Sequence, residues 1–414
     1  MNKGLSLLQY VKDKGFFHLL SVNFLAQFLG FGSSLLVAKL LSPVELGNIR
    51  IFQSYSAIFI VFAGFGINSA ILKICSEKYS ETEKTYFLHY GINYSFLSTF
   101  VTIILLVVFS LTGLLVSSKH LSCWFLIYSL IIPFAVLTDI FIVYLQSQKR
   151  IQEMAKAQII IKAQSFILII AAAWLWGFKG FIFATIISYI LGLIPLLRQV
   201  KMKFLKTEIG LIPSNFKTVA FYSFLANGVS VLGRYADIYI LDHFYFNRAE
   251  IGCYSLATIF TLAASQVTGT VQSIVTPYFS EKANDKIWYK RQLITNQIRL
   301  AIISILVAII VFISAVILVK IFYGTQYGST IKYLPLLLLK YVLWSSSVVI
   351  GVGMFGLGLV HQNFLISLTS TILSIVLSFF LLKNMGIFGV AWGQVGATII
   401  ILIIQIFLIK KTIN

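Results

Sequence analysis

Residues 297–320 read QIRLAIISILVAIIVFISAVILVK, and from Leu300 to Val319 twenty consecutive residues carry no charge. At 1.5 Å of rise per residue, such a helix covers about 30 Å, the thickness of a bilayer's hydrocarbon core. The run reads as a membrane-spanning helix. Outward from it, similar apolar segments recur near 16–40, 50–72, 87–115, 121–145, 157–176, 180–197, 217–241, 251–276, 333–358, 363–382 and 387–409, which makes twelve candidate spans.

Composition agrees with that count. Of 414 residues, 59% are hydrophobic and 11% charged, against about 25% charged in soluble proteins, so a soluble globular fold is excluded. The basic start (Lys3, Lys12, Lys14) precedes a long apolar stretch with no small-residue cleavage site, so the first span is expected to stay in the protein. The net charge of +19 lies mostly at helix ends, where it meets anionic headgroups, and no nucleic-acid partner is expected. Counted by side, the termini and alternate loops hold 21 Lys and Arg, and the opposite loops hold 8, including Lys39, Arg50 and Lys119. Both termini are therefore expected in the cytoplasm.

The basic stretch between Arg198 and Lys217 divides the chain into residues 1–200, a linker at 201–216, and residues 217–414. Two short matches indicate a repeat. Glu45-Leu46-Gly47 returns as Glu250-Ile251-Gly252, 205 positions later, and Gly177-x-x-Gly180 returns as Gly386-x-x-Gly389, at an offset of 209. The expected fold is an all-α integral membrane protein of two six-helix bundles related by a parallel repeat. Substrate sites in such repeats lie between the halves, near the midplane.

Several segments carry a resemblance. They are Leu41-Ser42-Pro43-Val44-Glu45-Leu46-Gly47, Gly64-Phe65-Gly66-Ile67 with Ala70-Ile71-Leu72-Lys73, and Ile251-Gly252-Cys253-Tyr254-Ser255. Phe322-Tyr323-Gly324 with Tyr327 and Gly389-Val390-Ala391-Trp392-Gly393 complete the set. Over the whole chain the pattern resembles the polysaccharide-exporter branch of the MOP superfamily, and within it the Wzx-type flippases. That resemblance implies a V-shaped, MATE-like pair of bundles in the bacterial cytoplasmic membrane, working by alternating access. It implies as cargo a glycan repeat unit on undecaprenyl pyrophosphate, for O-antigen or a related surface polysaccharide. Partners would be this lipid-linked glycan, membrane lipids, and the polymerase and chain-length regulator of the same polysaccharide.

The residues supply candidates of their own. Ser223, Asn227, Ser230, Arg234 and Asp237 fall within about 80° of one helix face at about 100° per residue. A second row contains Tyr254, Thr258, Thr261, Ser265, Thr268 and Gln272, and the first span offers Asn23, Gln27, Gly30 and Ser34. These rows either line a hydrated cavity or let helices pack closely. Three cations, Lys162, Arg234 and Lys340, fall inside spans. A buried charge in a membrane needs a partner or water, and an anionic diphosphate would supply one. Snorkelling to the headgroups, or pairing of Arg234 with Asp237, is the alternative. Asp139 and Asp237 are the acids able to couple transport to ions.

Other patterns carry no chemistry. Gly351-x-Gly353-x-x-Gly356 lies within an apolar span, there is no Walker A motif, and His and Cys lack metal spacing, so no cofactor is expected. Asn93-Tyr94-Ser95 lies inside a span. Two other functions stay open beside the flippase: a MATE-type drug or cation antiporter, and a polytopic glycan polymerase. An antiporter of cations should present acids, and a polymerase needs a large external loop with catalytic carboxylates. The chain is not expected to be an enzyme.

Overall fold

Ser42-Pro43-Val44-Glu45 is a helix start in sequence and in space. The Glu45 backbone N–H donates to Ser42 Oγ at 3.3 Å, and the Ser42 N–H donates to Glu45 Oε2 at 2.9 Å. Proline follows in the first turn, where a missing N–H costs nothing. The computed structural model describes residues 16–113, 115–116, 119–200, 212–213, 215–245, 247–281 and 286–413. Most of the linker at 201–216 lies outside the described residues.

In chain order the helices are α1 (Phe16–Leu40), α2 (Pro43–Gly64), α3 (Ile67–Ser76), α4 (Glu81–Leu111), α5 (Lys119–Tyr128) and α6 (Ile131–Ser147). Then follow α7 (Ile151–Val200), α8 (Asn215–Phe244), α9 (Arg248–Glu281), α10 (Lys286–Leu318), α11 (Ser329–Gly356) and α12 (Val360–Ile413). A π turn at Val319–Tyr323 and a 3-10 turn at Thr325–Tyr327 separate α10 from α11. No strand occurs among the described residues.

The second span begins at Pro43 and not near residue 50. Arg50, counted above with an outer loop, therefore sits two turns inside α2. Hydropathy alone missed this because the capped first turns are polar.

Eight helical segments among the described residues are long and apolar enough to cross a membrane. α8 is not among them, because its polar row lowers its hydropathy. Two segments, Ile151–Val200 and His361–Ile409, are about fifty residues long, roughly twice what a bilayer needs. Each is broken at one glycine, Gly177 at φ 57°, ψ −135° and Gly386 at φ 57°, ψ −139°. Contacts then run antiparallel: Gly180 on the Ala172 carbonyl and Gln164 on the Ser188 carbonyl in α7, Gly389 on the Leu381 carbonyl and Gly393 on Ser378 in α12. Both are helical hairpins.

The chain forms two compact units, residues 1–41 with 55–228, and residues 42–54 with 229–414. In the first, α1 packs on α7, and α6 packs on α7, α3 and α4. In the second, α11 packs on α9, α10 and α12. α10 shows why these contacts form: Leu300, Ser304, Ala308 and Ala315 are buried, while Ile302, Ile305, Ile309, Ile313 and Ile317 are exposed. Small residues let helices approach, and branched aliphatic ones face lipid tails as readily as a protein core.

Candidate functional site

The second unit gathers charged and polar side chains from five helices. α8 contributes Asp237, buried at 5% exposure. Its Oδ2 accepts a hydrogen bond from the hydroxyl of Tyr254 on α9 at 2.8 Å, and its Oδ1 accepts the Ile238 N–H at 2.9 Å. Lys340 of α11 lies within electrostatic range of Asp237 and donates from Nζ to Oε1 of the buried Gln394 on α12. Arg50 of α2 places its guanidinium 5.0 Å from the centre of the Tyr235 ring and within electrostatic range of the Tyr254 hydroxyl. Tyr239, one turn beyond Tyr235, donates to the Ser54 carbonyl at 2.8 Å.

Local sequence explains the arrangement. Asp237 and Tyr254 face each other because the four-residue spacing Tyr235-Tyr239 turns one side of α8 to α2, while Asp237 turns to α9. An acid buried in a span costs several kcal/mol unless paired and hydrogen-bonded. Here Lys340 lies in range of the carboxylate, and Arg50 lies in range of Tyr254, the carboxylate's hydrogen-bond donor. By formal charge the group holds two cations against one carboxylate, and two of its donors, Arg50 Nε and Gln394 Nε2, are buried without a hydrogen-bond partner. The arrangement suits an anion and opposes a cation.

The sequence candidates divide between the units. Asp237, Lys340, Arg234, Ser230, Thr261 and Gln272 belong to the second; Asp139, Lys162, Asn23, Gln27 and Asn227 belong to the first. Asp237 and Lys340 come together, joined by Tyr254 of the second polar row and by Gln394 and Arg50, which the sequence reading did not assign to the site. Asp237 bonds Tyr254, so the row on α8 does not end in an Arg234–Asp237 pair. Asn227, Ser230 and Arg234 are exposed, as are Gln27 and Gln272. Thr261 is half-buried and returns its hydroxyl to the Thr258 carbonyl at 2.9 Å. Asp139 on α6 and Lys162 on α7 are exposed and lie within electrostatic range of each other. Asn23 lies on α1, and its side chain is outside the described residues. Among the described residues no group of His, Cys, Asp and Glu could hold a metal ion.

The sequence profile described as polysaccharide biosynthesis protein matches residues 36–332, most of the chain. The chain belongs to the polysaccharide biosynthesis protein family. No curated protein matches this family member in sequence. Its fold is similar to that of the lipid II flippase MurJ in an inward closed conformation, with a TM-score of 0.78 at 20% identity over 95% of this chain and 87% of MurJ. It is also similar to the MATE multidrug transporter DinF-BH, with a TM-score of 0.66 at 16% identity over 95% of each chain. A third likeness is to an outward-facing MATE transporter of the MOP superfamily, with a TM-score of 0.60 at 15% identity over 95% and 93% of the two chains. The family match agrees with the expected polysaccharide-related family, and the all-helical fold is similar to that of these membrane transporters.

Proposed function

We propose that the protein is a flippase that moves polyprenyl-pyrophosphate-linked oligosaccharide repeat units, for O-antigen or a related surface polysaccharide, from the cytoplasmic to the periplasmic leaflet by alternating access. The observation that carries this reading is the gathering of two basic side chains, Arg50 and Lys340, about the single acid Asp237 and its partner Tyr254 within membrane helices. A diphosphate crossing the membrane loses its hydration, and fixed guanidinium and ammonium groups offset that loss with charge-assisted hydrogen bonds. Family membership and the likeness to a lipid II flippase support the same cargo class.

On this reading Arg234, Lys340 and Lys162 meet the pyrophosphate. Asn23, Gln27, Asn227, Ser230, Thr261 and Gln272 offer hydrogen bonds to the sugars. Asp139 and Asp237 are the groups for ion coupling, and transport by reconstituted protein that ignores the proton gradient would remove them from that role. The protein has twelve crossings in the bacterial inner membrane with both termini cytoplasmic, and works beside a polymerase and a chain-length regulator.

The test is accumulation of cargo. Deletion of the gene, and the Arg50→Ala and Lys340→Ala variants, should leave lipid-linked repeat units on the cytoplasmic leaflet, with the variants inserted at normal levels. Normal export by both variants would overturn the role of the cluster. Loss of cationic-dye extrusion without glycan accumulation would favour a multidrug antiporter, the activity of the MATE transporters that share the fold.

A further inference from the structure

We propose that the open end of the α7 hairpin binds one phospholipid with an anionic headgroup of the phosphatidylglycerol type. Its phosphate lies between Lys156 and Arg198, and part of one acyl chain lies in a groove between the two arms. The site shares no residue with the group of Arg50, Asp237 and Lys340, and it does not depend on the cargo.

The arms of α7 are tied to each other twice. At the open end Arg150 donates to the Gln199 carbonyl and pairs with Glu153. Nearer the bend, the Gln164 amide donates to the Ser188 carbonyl at 3.2 Å, and the Ser165 and Ser188 hydroxyls bond each other. Between these ties Pro195 interrupts the second arm. Having no N–H, it leaves the Leu191 carbonyl without its helical donor and loosens the helix there. A groove of about 330 Å³ lies at this place, walled by Ile160, Leu191, Ile194 and Pro195. Gln164 lines it farthest from the open end, and Arg198 and Gln199 line its mouth. Arg198 is seven residues, or about 10 Å of helix, from Leu191. The volume is at the low end of the range of about 300–1,000 Å³ that ligand sites span. It suits a length of one chain and nothing bulkier.

Location and charge name the occupant. Ile160 and Ile194 are exposed within a segment long and apolar enough to cross a membrane, so the groove opens sideways onto lipid chains. Its mouth falls where the apolar run of the second arm ends, which is headgroup depth. Lys156 stands one turn before Ile160 on the same face of the first arm, and it is exposed, as is Arg198. Among the described residues neither cation has a carboxylate within salt-bridge distance, and the neighbouring Glu153 is bound to Arg150. Two such cations at the edge of a bilayer attract a phosphate, and the guanidinium can hold two of its oxygens. A zwitterionic headgroup would bring its own ammonium against them. The mouth therefore selects an anionic headgroup.

The test uses full-length protein stripped of lipid in detergent and given phosphatidylglycerol, phosphatidylethanolamine or undecaprenyl phosphate, with bound lipid counted by native mass spectrometry. The wild-type protein should retain one phosphatidylglycerol and release phosphatidylethanolamine. Lys156→Gln with Arg198→Gln, which removes the headgroup partners, should lower the retained fraction at least several-fold. Ile194→Trp, which fills the groove, should do the same, whereas Lys217→Gln, which removes an exposed cation at the start of α8, should not. Thermal unfolding without added lipid shows which variants fold, and if Ile194→Trp does not, the double variant alone decides. Equal retention of the two phospholipids, or retention unchanged in the double variant, would overturn the site. Displacement of phosphatidylglycerol by an equal concentration of undecaprenyl phosphate would overturn it too, because the groove would then serve the cargo. Since the readout is binding alone, it stands or falls separately from the flippase reading.

Discussion

Asp237 is the residue on which the second unit's interior turns. Its removal leaves Lys340 without its nearby acid and the Tyr254 hydroxyl without its acceptor. Asp237→Asn should therefore destabilise the protein by about 3–5 kcal/mol, the usual cost of leaving a buried charge uncompensated. Asp237→Asn with Lys340→Gln should lose distinctly less, because a cation leaves with the acid; thermal unfolding in detergent measures both. Tyr254→Phe, which deletes only the 2.8 Å hydrogen bond to the carboxylate, should cost about 1.5–3 kcal/mol. The sequence made Asp237 and Lys340 conspicuous, since a charge in a span is expensive wherever it occurs. It could not pair them, because they are 103 positions apart and nothing periodic links α8 to α11. Arg50 was hidden by a hydropathy reading that started its span too late, although Ser42-Pro43-Val44-Glu45 already marked the helix start.

Among the elements, the two hairpins were the most legible and the most exacting. Gly177 and Gly386 adopt torsions that a residue with a Cβ resists, and Gly180 and Gly389 each touch a carbonyl of the opposing arm. Gly177→Ala and Gly386→Ala should each cost about 1–3 kcal/mol in detergent melting. Gly30→Ala and Gly64→Ala, at ordinary helical positions with open space around them, should cost nothing or stabilise slightly. The equal spacing of these motifs disclosed the repeat, but not that one glycine folds a fifty-residue helix into two arms. At the start of α4, Ser80 caps the helix and its hydrogen bonds hold the Glu83 carboxyl below the ordinary glutamate range. The stabilisation from that ion is fully present above the usual glutamate pKa and is lost as pH falls through the lowered one. Ser80→Ala should flatten the acid side of the melting profile between neutral pH and about pH 3.

At the level of the whole molecule, the asymmetry of 21 cations against 8, or against 7 once Arg50 is placed within α2, sets an expectation for orientation: a fluorescent protein fused to the C-terminus should glow, and alkaline phosphatase at the same place should be inactive. The apolar segments gave the class of fold because a bilayer forces length and composition together. The division of the chain was less legible, because α2 and α8 each change allegiance part-way and no local signal marks residues 54 or 228. Within the repeat, Gly47 seats on the Arg248 carbonyl and Gly252 on the Pro43 carbonyl, and this mutual seating has an evolutionary consequence. Residue i meeting j while j meets i is the mark of a two-fold homodimer. A half-length ancestor would have carried both faces of that handshake in a single gene, ready to meet a copy of itself before duplication joined the two.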